Sequence, residues 1–144
     1  MFKWLIILHV LGASIWIGGN LLLCLRYLPE ALKKKDPEII KAFEIKYELI
    51  GMPSLLVQVI TGIWMAISVY HVNLFGFLNL IETAVPVKVI LLVVIVLLAV
   101  NVRVFIFPRV TPKNLWLLAS HIIAVTIISI LFLYFGISIR FAGV

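Results

Sequence analysis

Charge is what this chain has least of. Only 12% of its 144 residues are Asp, Glu, Lys or Arg, and six of them are acidic. So few polar side chains cannot coat a folded domain in water, which excludes an ordinary soluble protein. A single cysteine, Cys24, excludes an internal disulfide and a multi-cysteine metal site. No polar stretch is long enough to separate two domains, and there are no usable repeats or low-complexity segments, so residues 1–144 read as one domain. The basic excess of +6 is not the mark of a nucleic-acid binder, because the cations are sorted into particular loops instead of forming one patch.

What the chain does have is hydrocarbon. Hydrophobic residues make up 65% of it, and its mean hydropathy is +1.26. Four apolar stretches reach membrane-spanning length, at about 2–25, 49–70, 87–107 and 115–139. The expected fold is all-α: a polytopic membrane protein built as a bundle of four transmembrane helices. The first stretch is too long for a signal-peptide core, starts with only Lys3 as a basic residue, and lacks a small-x-small cleavage site, so it reads as a permanent span.

The loops fix an orientation. Arg26, Lys33, Lys34, Lys35, Lys41 and Lys46 lie between the first two spans, and Arg103, Arg109 and Lys113 lie around the junction of the last two. Lys3, Lys88 and Arg140 fall on the other side. The positive-inside rule then places both basic loops in the cytoplasm and both termini outside, in the cell inner (plasma) membrane. The lysine cluster is positioned to meet anionic headgroups of the lipid bilayer.

Leu28-Pro29 is expected to end the first helix, and Asp36-Pro37 to cap and start the next. Ile39, Ile40, Phe43 and Tyr47 recur at helical spacing, which predicts an amphipathic cytoplasmic extension over about 37–48. Pro53 is placed to kink the second span. Asn73, Gly76, Asn79 and Pro86 break up residues 72–86, predicting an outer interfacial loop or short helix. Pro108 and Pro112 bracket the turn before the last span.

Candidate site residues are the polar groups inside hydrocarbon, since an imidazole or amine there is expensive and calls for a partner, a proton path or a metal. His9 stands first, one turn before Gly12 and on the face of Trp16. Missing side chains beside a histidine leave room for a flat ligand such as a porphyrin. Counting along the helices puts His9 and Lys88 in the outer half and His71 at the outer end of the second span. Asn20, Gln58, Asn101 and His121 fall nearer the cytoplasm. The count separates His9 and His121 by about 7–12 Å at 1.5 Å per residue. Two axial ligands of one haem must be nearly level, so His9 pairs better with Lys88 or His71 than with His121. Asn20, Gln58 and Asn101 are equally suited to interhelical hydrogen bonding. A copper site built from His9, His71 and Met65 is an alternative, although no Met-x-x-x-Met run supports it.

His9, Trp16 and Gly19, followed by Arg26, resemble the first helix of the copper-resistance D family and of the related oxygen-independent protoporphyrinogen oxidase family. Pro53 with Thr61-Gly62, Lys88, Asn101-Val102-Arg103 and Pro108 are similar to later segments of those families. The resemblance implies a helical bundle that binds haem b, with His9 as an iron ligand and Lys88 as a second ligand or proton carrier. It covers most of the first three spans, is weak over the fourth, and departs from the oxidase at Ala84, where that enzyme has an arginine. The expected function is electron transfer to or from a quinone, a porphyrinogen or a redox subunit, with His71, Lys88 or His121 opposite His9. Copper transport, or a non-catalytic place in a larger membrane complex or homo-oligomer, are the competing expectations.

Overall fold

The computed structural model describes residues 2–68 and 80–140, and all of its regular structure is helical. Its helices are α1 (Phe2–Leu22), α2 (Leu28–Lys34), α3 (Glu38–Ser68), α4 (Leu80–Asn101) and α5 (Leu115–Arg140). Four helical stretches are long and apolar enough to cross a membrane: Lys3–Lys34, Glu38–Ser68, Val85–Arg109 and Leu115–Ile137. The chain is accordingly a multi-pass membrane protein in its architecture. Large apolar side chains such as Trp4, Leu49 and Leu97 are exposed along these helices, as lipid-facing surfaces require.

The packing runs in series. Helix α3 lies along α1, α1 along α5, and α5 along α4. Among the described residues, α3 and α4 barely touch, and the Arg103–Glu48 ion pair at 3.0 Å links α3 to the turn that follows α4. The best-packed apolar cluster sits at the lysine-rich end, where Leu23, Leu28, Ala31, Ile40, Leu115 and Leu118 meet.

One proline here behaves differently from the sequence expectation. Leu28-Pro29 does not end the first helix, which continues to Lys34 through a π-turn at Leu23–Tyr27. A second π-turn, Val102–Ile106, stands in the same place before Pro108. In each case the five π residues and one further residue precede the proline. The cause is steric: a proline ring collides with the carbonyl four residues back and supplies no N–H. Widening the preceding turn, with Leu28 N–H donating to Leu23 O and Phe107 N–H to Val102 O, moves that carbonyl aside. The first helix then stops at Lys35, which takes the left-handed conformation (φ 54°).

Asp36 begins α3 as its sequence implied: Glu38 N–H donates to Asp36 Oδ1 at 3.0 Å. The extension over 37–48 is continuous with the second span in one 31-residue helix that holds Pro53 in its interior. At the far end, α4 starts at Leu80, so Pro86 lies inside a helix instead of breaking a loop. The remainder of the expected outer loop, residues 72–79, lies outside the described residues.

Candidate functional site

The α1–α3 contact is made close by missing side chains. A Cβ on Gly12 would lie 2.8 Å from the carbonyl oxygen of Ser54, so only glycine permits this approach. One turn earlier on α1, the His9 ring reaches α3. Its Nδ1 lies 3.0 Å from Gln58 O and 3.0 Å from Thr61 Oγ1. The ring's edge packs on Gly62, where a Cβ would come within 3.1 Å of His9 Cε1.

These partners decide the tautomer. The Gln58 carbonyl can only accept, so Nδ1 must carry the proton. The Thr61 hydroxyl spends its own proton on Val57 O at 2.7 Å, which leaves a lone pair to share the Nδ1–H. Nε2 is therefore left with a free lone pair. A metal-ligating histidine is held in the same way, with its other ring nitrogen donating to a backbone carbonyl. The anchoring of His9 was not legible in the sequence, although the Thr61-Gly62 pair contains both the acceptor and the gap that allow it.

His9 and Trp16 on α1, and Leu23 just beyond it, recur every seven residues and lie within about 40° of one line along the helix. That line runs between Gly12 and Gly19, which face α3, and Asn20, which meets α5. Two buried polar atoms near it have no partner among the described residues: Trp16 Nε1 and Gln58 Oε1. Buried polar atoms are nearly always paired, so this pair of orphans marks the stretch from His9 to Trp16 as a place that suits a polar-edged ligand.

Register then decides which residues share the His9 layer. Thr126 Oγ1 on α5 lies 3.4 Å from Asn20 O on α1. The helices are antiparallel, so Gly136, ten residues beyond Thr126, is level with position 10 of α1. Lys88 Nζ lies over Gly136, 3.4 Å from where a Cβ would stand. His9, Gly62, Lys88 and Gly136 thus form one layer, contributed by all four long helices.

His121 does not belong to it. It lies on the other side of Thr126 and is level with position 25 of α1, about 24 Å from the His9 layer at 1.5 Å per residue. The shorter separation expected from sequence is corrected by this register, which depends on which residues touch and not on distance from a presumed membrane surface. His121 Nδ1–H donates within its own helix to Leu117 O at 2.9 Å. The partner residues His9 and Lys88 are brought together; His121 is set apart; His71 lies outside the described residues. Asn20 likewise bonds within its own helix, its Nδ2 donating to Trp16 O at 2.9 Å.

Among the described residues no three His, Cys, Asp or Glu side chains gather into a cage for a bare metal ion. Haem asks for less, since the porphyrin brings four donors and leaves one or two axial positions for the protein. One anchored imidazole with a free Nε2 and an amine at its level are donors of the kind those positions take, and Gly62 and Gly136 are what admit the His9 ring and the Lys88 amine to this layer. No family model matches the chain, and no curated protein and no solved structure matches it.

Proposed function

We propose that this chain is an integral membrane haem b protein that passes electrons, and that His9 and Lys88 are the residues that would hold the haem iron. The observation that carries the reading is the His9 anchor: Nδ1–H held by Gln58 O and Thr61 Oγ1, Nε2 left free. When bound, haem b supplies one-electron redox chemistry, tuned by axial-ligand identity and by the low dielectric around it.

The chain's own residues do the rest. Gln58 and Thr61 fix the orientation of the imidazole and increase its donor strength. Gly62 and Gly136 keep side chains away from His9 and Lys88. Lys88 serves as a ligand in its neutral form, through the lone pair on Nζ. Trp16 Nε1 and Gln58 Oε1 are available to hydrogen-bond the polar rim of the group.

The nine-to-three distribution of basic residues supports an orientation with both termini outside, and the proposed location is the inner (plasma) membrane. The electron partner is then a lipid-soluble quinone, a porphyrinogen or another redox subunit. Ala84 in place of the oxidase arginine removes an obvious carboxylate partner, so the proposal stops at electron transfer and does not extend to porphyrinogen oxidation. The test is the dithionite-reduced minus oxidised spectrum of protein purified in mild detergent. A b-type haem band at about one haem per chain is expected from a single axial pair. A colourless protein, or one that carries copper and no haem, overturns the proposal.

A further inference from the structure

The continuation of the first helix beyond Pro29 creates a surface that the haem reading does not use. Leu25, Arg26, Pro29, Glu30, Lys33 and Lys34 form a shallow, open groove along one face of the helix at the lysine-rich end. Three cations face one carboxylate there. Glu30 is shared, with Oε1 2.7 Å from Lys34 Nζ and Oε2 3.1 Å from Arg26 Nη1. Arg26 commits only one nitrogen to that pair and leaves the rest of its fork outward, with 68% of its side chain exposed. Lys33 has no acid partner among the described residues.

Below these cations the same helix turns apolar. Leu22 and Leu25 are 49% and 72% exposed, and they continue the lipid-facing surface of the span. Arg26, Pro29 and Lys33 follow them at helical spacing on one side. Hydrocarbon surface leading up to an unneutralised guanidinium and ammonium matches the two halves of one molecule, an acyl chain and a phosphate. A nucleic acid or an acidic peptide would answer the charge but not the leucines beneath it.

We propose that this groove holds an anionic phospholipid, with its phosphate on Arg26 and Lys33 and its acyl chain along Leu22 and Leu25. The π-turn is part of the device. By carrying the helix past Pro29, it places Lys33 on the same side as Arg26 two turns further on.

The experiment is native mass spectrometry of detergent-purified chain offered phosphatidylglycerol and phosphatidylcholine, with thermal unfolding followed in parallel. Wild type should retain one phosphatidylglycerol, in preference to phosphatidylcholine by at least about tenfold, since each cation near the surface adds to anionic-lipid affinity. The Arg26→Gln/Lys33→Gln protein should lose that preference and the rise in unfolding temperature that goes with it. Lys3→Gln/Lys113→Gln, which removes the same charge elsewhere, should keep both. Equal retention of the two lipids, an unchanged preference in the groove variant, loss of preference in the control, or equal stabilisation by inorganic phosphate alone would each overturn the assignment.

Discussion

Replacing His9 by alanine is expected to strip the purified protein of haem while the helices still form. Groups that merely orient a metal-bound histidine are worth about 10–100-fold in affinity. Loss of the ligand itself should therefore exceed about 100-fold. The fold has little to lose at this position: His9 is half-buried, and its bonds to Gln58 O and Thr61 Oγ1 are together worth about 1–2 kcal/mol. Far-ultraviolet circular dichroism should be unchanged while the reduced b-type band disappears. Retention of the band in His9→Ala would show that another residue ligates the iron.

The second large effect is expected far from the iron, at Gly19. The Tyr47 ring occupies the space where a Cβ of residue 19 would stand. On the ring's other side a Cβ at Gly51 would lie 2.6 Å from Tyr47 Cε1. The Tyr47 hydroxyl donates to Ile15 O at 2.7 Å, which fixes the ring in this slot. Gly19→Leu must expel the ring. Overpacking of this kind costs about 1–3 kcal/mol, and the lost hydrogen bond about 1 kcal/mol more. The gain in helix propensity, about 1 kcal/mol, does not offset the sum. Gly18 is the contrast, because a Cβ there meets nothing within 4 Å. Gly18→Ala should therefore leave the thermal midpoint in detergent unchanged or raise it, and Gly19→Leu should lower it sharply. Equal effects at the two glycines would contradict the Tyr47 slot.

The adjacent glycines also mark where sequence reasoning stopped. Gly12, Gly18 and Gly19 look alike as small residues on one helix, but only contacts separate them. Gly12 admits Ser54 and Gly19 admits Tyr47, whereas Gly18 faces open space. Span number and span length were legible, because hydrocarbon thickness imposes them on composition. The Asp36-Pro37 helix start was legible as well, because capping is local chemistry.

What failed were inferences that depend on more than local chemistry. Pro29 was read as a helix end, since proline usually stops a helix when nothing upstream yields; here the Leu23–Tyr27 turn yields. Depth counted from each helix's own end sets His121 too close to His9. The Asn20–Thr126 contact sets the two helices at a different offset. The site itself was half legible. An imidazole in hydrocarbon points to His9 directly, whereas its Gln58–Thr61 anchor and the shared level of Lys88 come from packing between helices.

The claim on which the account rests is that His9, and no other imidazole of the chain, is an iron ligand. The most direct measurement is the reduced spectrum and haem content of the His71→Ala/His121→Ala protein, in which His9 is the one histidine left. A full haem complement and a b-type band at the wild-type position are expected. Loss of the haem, or displacement of the band, would mean that His71 or His121 ligates the iron and would contradict the account.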